Sequence, residues 1–286
     1  MIVPRFSVVV PLYNKEMSIE RTMRGILNQT FTDFELIIVD DGSTDSSVAK
    51  VKTFDDPRIH LVQQPNGGPS AARNTGVRHA KANWVVFLDA DDELTSDALE
   101  YYNQMITAHP ALDILDCNKS CRRGDTLTPQ YHPIEGWVKN NYRACYFGKV
   151  LPGAGFSVFR KTVLKRCPYD ERLRRFEDAE LLIRLLDGTK VYSSRRITSI
   201  HDFNFAQASA PRKNIHEDYA AYLNLQNGSF WRRMCVYRTF LEERTEYPEQ
   251  MRQLYPAYYF RYDLLLIYKI LGWYTKFSKL WLRAND

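Results

Sequence analysis

Three carboxylates in four positions, Asp89, Asp91 and Asp92, follow directly on the apolar run Trp84 to Leu88. Held together at a strand end they would repel one another, and a cation among them relieves that repulsion. Hard divalent cations take carboxylate and phosphate oxygens, and Mg²⁺ in particular uses one or two carboxylates together with substrate phosphates. The pattern therefore predicts Mg²⁺ or Mn²⁺ bridging a diphosphate. The alternative is a solvated turn, Asp91 to Thr95, that caps the next helix. A second pair, Asp40 and Asp41, ends the run that begins at Phe34. Such a pair can accept a hydrogen bond from the imide N–H of a pyrimidine, whereas Ser43 or Asp45 suits the cap of the following helix. Tyr13 offers a ring face to a base, or else is a core tyrosine. Arg73 falls in the first turn of a predicted helix, where a cation opposes the helix dipole. That placement suggests a ligand contact, with an ordinary surface arginine as the alternative.

The elements that must position these groups are legible as alternating patterns. Short β-branched runs, Phe6 to Pro11, Phe34 to Val39, Arg58 to Val62 and Trp84 to Leu88, are separated by helix-like stretches near Lys15 to Leu27, Asp45 to Lys52 and Ser70 to Lys81. Strands that are apolar throughout, with helices between them, imply a parallel sheet covered on both faces, an α/β architecture. In such sheets ligands bind outside the carboxyl ends of the strands, where strand order reverses. The four segments that fall there are Pro11 to Asn14, Asp40 to Ser43, Gln64 to Asn74, and Asp89 to Asp92. Further on, the sequence predicts a helix from Thr95 to about His109, a strand from Asp113 to Cys117 and an irregular stretch from Asn118 to Lys149. A second ordered piece, Gly153 to Leu186, holds Phe176-Glu177-Asp178 ahead of a helix. There is no G-x-G-x-x-G after the first strand and no G-x-x-x-x-G-K-[ST], which disfavours a dinucleotide oxidoreductase and a phosphate-loop NTPase.

The chain has 286 residues, 39 Lys and Arg against 34 Asp and Glu, a net charge of +5, and apolar and charged fractions of 44% and 26%. That balance fits a globular chain, and the mild charge excess does not point to nucleic acid. No uncharged apolar run approaches the roughly 20 residues that span a bilayer, and no export signal precedes the first strand. Five cysteines without zinc-like spacing read as free thiols, so the expected location is cytoplasmic.

The segments Val8 to Asn14, Val39-Asp40-Asp41-Gly42-Ser43, Asn66 to Asn74, Phe87 to Asp92 and Phe176-Glu177-Asp178 together resemble glycosyltransferase family 2, the inverting transferases with the GT-A fold. The likeness covers about residues 5 to 190. It implies a Rossmann-like, mostly parallel central sheet with helices on both faces, and transfer of a sugar from a nucleotide diphosphate sugar, most often a UDP-sugar, to an acceptor hydroxyl. Carried over by position, it puts Tyr13 and Asp41 on the base, with Pro11, Asp40 and Arg73 beside it, and Asp89 near the ribose, the donor sugar or the metal. Asp91 corresponds to the metal ligand of the family's D-x-D motif, with Asp92 assisting it or facing the acceptor or donor sugar. Asp178 corresponds to the catalytic base, and Glu177 orients the acceptor or simply favours the helix start. One base suffices for inversion because the leaving diphosphate needs no protonation. His201 is the candidate for a later contact to the diphosphate or the metal, against a packed or surface histidine. Gly153 and Gly155 would let backbone approach the acceptor, or form a turn.

Residues 1–226 are thus expected to form the catalytic domain and 227–286 a helical appendage. Ten aromatic residues lie between Tyr255 and Asp286. If residues 261 to 283 form one helix, Arg261, Lys269, Lys276, Lys279 and Arg283 share a sector of about 80° opposite Leu, Ile, Trp and Phe side chains. Such a helix would lie in a membrane interface and suit a lipid-linked glycan acceptor of bacterial envelope synthesis. The alternative is packing on the catalytic domain or a second subunit. Two other functions are the alternatives: a catalytically silent sugar-nucleotide or glycan-binding module of the same fold, which has no need of Asp178, and a sugar nucleotidyltransferase, of related α/β topology, whose Gly-rich first loop is missing.

Overall fold

The structure is a computed structural model that describes residues 3–130, 134–205, 214–259, 261 and 263–271. Strands β1 (Phe6–Leu12) and β2 (Phe34–Asp40) are buried almost throughout, as their mostly apolar sequences require, and the buried Ser7 and Glu35 satisfy each other by a hydrogen bond of 2.6 Å. Side chains alternate between the two faces of a strand. Phe6, Val8, Val10 and Leu12 therefore enter one core, with Met23 and Tyr102, while Val9 enters the other, with Phe87 and Phe159. Helix α1 (Ile19–Leu27) covers the first face because Ile19, Thr22, Met23 and Ile26 recur at helical spacing.

After α2 (Ser47–Val51), β3 (Ile59–Gln63) pairs parallel with β2. Helix α3 (Pro69–His79) then crosses the second face. Its Gly76 lies so close to β1 that a Cβ there would overlap Val9 Cγ1. Strand β4 (Trp84–Phe87) pairs parallel with the other side of β1. Strand order 3-2-1-4 reverses at β1, so the carboxyl ends of β1 and β4 border the crevice in which such sheets bind ligands.

Beyond β4 the sheet becomes mixed. The strands β5 (Glu93–Leu94), β6 (Ile114–Arg123), β7 (Thr126–Pro129), β8 (Gly136–Trp137), β9 (Ser157–Arg160) and β10 (Val191–Asp202) complete it, with helix α4 (Ala98–Ala108) between β5 and β6. β9 runs antiparallel between β4 and β6, and β6 pairs parallel with β10. The parallel arrangement thus holds for the first four strands that the sequence marks, while the fifth, β6, lies between antiparallel β9 and parallel β10. The strand expected at Asp113 to Cys117 runs on to Arg123 and, with Thr126–Pro129, occupies part of the stretch read as irregular.

Helices α5 (Asn141–Tyr146), α6 (Lys161–Arg166) and α7 (Glu177–Leu185) line the second face. Helix α8 (Phe230–Glu246) begins where Ser229 Oγ accepts from the Arg232 N–H at 3.3 Å. It buries Met234, Val236, Tyr237 and Phe240 in the same core as β1 and β4, followed by α9 (Pro248–Leu254) and α10 (Pro256–Tyr259). Residues 263–271 are helical, and Leu264, Ile267, Tyr268 and Leu271 pack against that core while Leu266 and Ile270 stay exposed. Part of the apolar face expected at a membrane therefore lies on the protein itself. Lys276, Lys279 and Arg283 of that predicted helix fall outside the described residues. No helix among the described residues is long and apolar enough to cross a membrane.

Candidate active site

The loops after β1 to β4 meet around a cavity of about 920 Å³, within the size range of sites for small ligands. Pro11, Tyr13, Lys15, Asp41, Asn66, Gly68, Arg73, Asp89, Asp91, Arg174, His201 and Phe203 are among its walls. Tyr13 is 46% exposed there, which removes the core alternative and leaves a ring free to stack.

At one end the wall is built on Asp41. Its Oδ1 accepts from Gln64 Nε2 (2.7 Å) and the Gly67 N–H (2.8 Å), and its Oδ2 from the Gly68 N–H (2.7 Å). Gly68 adopts φ +85°, a conformation that favours glycine, and this turns its N–H toward the carboxylate. A carboxylate offers about four lone-pair positions, so one remains on Oδ2 for a ligand. Asp40 behaves differently. It is 2% exposed, accepts from the Ser43 N–H and from Gln63 Nε2, both at 3.0 Å, and is absent from the cavity wall. It shapes the loop.

The other end is the loop Asp89 to Asp92. Helix α1 grips its backbone: Ser18 Oγ donates to the Ala90 carbonyl (2.9 Å), Thr22 Oγ1 to those of Ala90 (3.0 Å) and Asp92 (2.9 Å), and Arg21 Nη2 to that of Asp91 (2.6 Å). The carboxylates, fixed in this way, have separate fates. Asp89 accepts from Arg73 Nη2 at 3.0 Å, and Asp91 pairs with Lys15 Nζ at 2.6 Å. Asp92 turns inward, to His201 Nδ1 (3.0 Å) and the Asp202 N–H (3.2 Å), and does not line the cavity. Burial works to raise the Asp89 carboxyl, yet Arg73, with Lys119 and His201 behind it, holds it below its ordinary value. The Asp92 hydrogen bond raises the His201 imidazole, against the opposing effect of its burial.

Arg73 is the hub of the second face. Its Nη1 lies 2.9 Å from Glu177 Oε1 and 3.8 Å from Asp178 Oδ1, and its guanidinium stands 5.2 Å from the centre of the Tyr169 ring. Burial opposes its charge, but Asp178, Tyr169, Asp89 and Glu177 together raise its pKa well above the ordinary value. The surface-arginine alternative is thereby removed: the side chain is 5% exposed and ordered by protein carboxylates. Helix α7 starts at Glu177, directly after Phe176 with its left-handed φ of +53°, and its first turn carries Glu177, Asp178 and Glu180. Glu177 is drawn inward. Its carboxyl is raised by burial, against the pull of Arg73 and with added repulsion from Asp178. Asp178 stays 46% exposed on its side chain and accepts from Tyr169 Oη at 3.0 Å. It reaches the cavity edge through Arg73 and is not itself part of the wall.

Gly153 and Gly155 also stand outside the wall. The Gly153 N–H donates to Ser157 Oγ (3.1 Å) within its own turn, and a Cβ on Gly155 would meet Asp92 Oδ2 at 3.7 Å, so Gly155 lies against the acidic loop. Sequence reasoning passed over Lys15, Arg21, Tyr169 and Arg174. The polar residues Ser18, Arg21 and Thr22, three and four positions apart at the start of α1, are a signal that could have found Arg21; Lys15, Tyr169 and Arg174 carry none.

A 3-2-1-4 sheet edge bearing a base-sized aromatic, a backbone-bound carboxylate and an acidic loop defines a nucleotide-sugar fold of the GT-A type. Residues 7–167 match the family described as glycosyl transferase family 2, more than half of the chain, and the chain belongs to that family. The glycosyltransferase EpsJ of Bacillus subtilis is 37% identical over 128 residues, which take in 44% of this chain and 37% of that one. The chain thus matches well under half the length of that relative. A Campylobacter jejuni protein named GalNAc(5)-diNAcBac-PP-undecaprenol beta-1,3-glucosyltransferase is 29% identical over 229 residues, 78% of this chain and 73% of that one. The crystal structure of Staphylococcus aureus TarS 1-349 in complex with UDP superposes with a TM-score of 0.68 at 21% identity, covering 85% of this chain and 72% of that one. At that identity the likeness is one of fold.

Proposed function

We propose that this chain is an inverting glycosyltransferase that moves a sugar from a UDP-sugar to an acceptor hydroxyl. The observation that carries the reading is the single cavity that joins Tyr13 and Asp41 at one end to Asp89, Asp91 and His201 at the other, with Asp178 at its edge. Tyr13 stacks on the base, and the spare lone pair of Asp41 accepts the imide N–H. Asp178 takes the proton of the acceptor hydroxyl while the new glycosidic bond forms and the bond from the anomeric carbon to the phosphate oxygen breaks. The electron pair of that bond leaves with the diphosphate. The Tyr169 hydroxyl orients Asp178 through Oδ1, leaving Oδ2 for the acceptor. Glu177 holds Arg73 in place and does not touch substrate.

The residues present also fit a divalent ion that the substrate completes. No three His, Cys, Asp or Glu side chains cluster as a metal site among the described residues, but Mg²⁺ needs only one or two carboxylates beside substrate phosphates. Asp89 is tied to Arg73, which Glu177 also anchors, whereas Asp91 pairs with the flexible side chain of Lys15, so Asp91 and His201 would hold it. The Asp92 bond to His201 Nδ1 leaves Nε2 as the ligating nitrogen, a familiar support for metal-bound imidazole. Mn²⁺ or Mg²⁺ so held supplies Lewis-acid stabilisation of the departing diphosphate.

The acceptor we infer is a glycan or lipid-linked glycan of bacterial envelope synthesis, in line with the activity that the Campylobacter relative is named for, with the protein working at the cytoplasmic membrane surface. A thermal-shift screen of UDP-, dTDP- and GDP-sugars with and without Mn²⁺ tests the donor site, since a ligand that binds only the folded state raises the melting temperature. UDP-sugars should do so preferentially; no stabilisation by any nucleotide refutes the reading.

A further inference from the structure

A lysine already stands where the donor's cation is expected. Lys15 Nζ lies 2.6 Å from Asp91 Oδ2, and the two side chains are 19% and 11% exposed. Both backbones are fixed. The Lys15 N–H donates to Ser47 Oγ (2.8 Å), its carbonyl accepts from the N–H groups of Ser18 (3.1 Å) and Ile19 (3.0 Å), and the Asp91 carbonyl is held by Arg21 (2.6 Å). Only the four-carbon stem of Lys15 remains free to move. Among the described residues it is the one cation paired with the Asp91 carboxylate. Lys15 lines both the donor cavity and an adjoining cleft of about 480 Å³ bordered by Asn14, Met17, Asp45 and Phe205, so its stem has open space on either side.

We propose that Lys15 is a mobile cation built into the donor site. It neutralises Asp91 while the site is empty and transfers to the donor's diphosphate when the donor binds. A lysine ammonium suits this exchange: it is a compact point charge on a flexible stem with three rotatable donors, which can leave one oxygen for another. An ammonium and a divalent ion on the same carboxylate repel one another, so each lowers the affinity of the other for Asp91. The nucleotide, by drawing Lys15 away, frees the carboxylate. Nucleotide and metal are therefore coupled through this residue, and by linkage the coupling is the same in both directions. Lys15 also gives the site a diphosphate contact that needs no metal. The inference rests on the donor-site reading above.

The test is calorimetric titration of UDP into the full chain in EDTA, together with Mn²⁺ binding read by the electron paramagnetic resonance of the free ion, without nucleotide. Lys15→Met should lower the affinity for UDP in EDTA about tenfold, the size of one charge-assisted hydrogen bond, and raise the affinity for Mn²⁺ by about as much. Lys15→Arg should keep both values within about threefold of wild type. Asp91→Asn releases Lys15 and should leave metal-free UDP binding at least as tight as in wild type, a result that does not depend on the folding of the Lys15 variants. Unchanged UDP and Mn²⁺ affinities in Lys15→Met, or metal-free binding by Asp91→Asn as weak as that of Lys15→Met, overturns the inference alone. Wild type that binds no UDP even with Mn²⁺ overturns the donor-site reading and this inference with it.

Discussion

Replacing Arg73 by Met removes the positive charge around which the base end of α7 and the acidic loop are arranged. The guanidinium lies 2.9 Å from Glu177 and 3.0 Å from Asp89. At an effective dielectric of about 20, unit charges so spaced attract by roughly 5 to 6 kcal/mol. The contact to Glu177, between side chains 5% and 13% exposed, keeps most of its attraction. Those to Asp89 and Asp178, which are 36% and 46% exposed, favour the same charge but are partly screened by water and add less to stability. Much of the Glu177 attraction offsets the cost of burying the two charges, but deleting one partner leaves the other uncompensated, which costs about 3 to 5 kcal/mol. At roughly 2 to 4 °C per kcal/mol for a chain of this order of size, the melting temperature should fall by about 10 °C. The loss should depend on pH. Burial raises the Glu177 carboxyl in the wild type, against Arg73. A raised folded-state value contributes stability that is present in acid and lost as pH rises through it. Without Arg73 that value climbs further, so the deficit should be largest above the variant's raised value and shrink as pH falls through it toward the wild-type value. Circular dichroism melts across this range check it, and Glu177→Gln in the Arg73→Met background should recover part of the loss, as coupled neighbours do. A melting temperature within about 2 °C of wild type, or a deficit that is flat with pH and not relieved by Glu177→Gln, would refute the reasoning.

Three other outcomes are expected. Asp178→Asn should lower turnover by roughly 10²- to 10⁴-fold while leaving UDP affinity nearly unchanged; full turnover in initial-rate assays would remove Asp178 from the role of base. Gly76→Ala should destabilise the fold by about 1 to 3 kcal/mol in urea titrations, because the new methyl overlaps Val9 on β1. Asp45 accepts from the N–H groups of Ser47 (2.9 Å) and Glu16 (3.1 Å), and these bonds outweigh burial to depress its carboxyl. Asp45→Asn should therefore cost about 1 kcal/mol at pH 7, and the difference should vanish as pH falls through the depressed value, where the wild-type carboxylate is itself protonated.

Four strands, their order of appearance and the edge at which the site lies were all legible in the residue pattern. β-branched runs without polar alternation must be covered on both faces, and parallel strands necessarily bring their carboxyl ends to one side. The family likeness followed from the loops at those ends. What each loop residue does could not be read in the same way. Asp40 and Asp41 are neighbours, as are Asp91 and Asp92, yet one of each pair faces the cavity and the other the interior. Asp40 ends β2 and Asp41 begins its loop, while Asp91 and Asp92 lie in the turn between β4 and β5, and only the course of each loop across the sheet edge decides which carboxylate meets the ligand. The partners that set their charge are still less accessible to sequence reasoning. Lys15 reaches Asp91 across 76 positions, Arg73 reaches Glu177 across 104, and His201 reaches Asp92 across 109. Local pattern determined that carboxylates would gather at one rim; the crossing of distant elements decided which of them were already neutralised by the protein's own cations and which remained for a ligand.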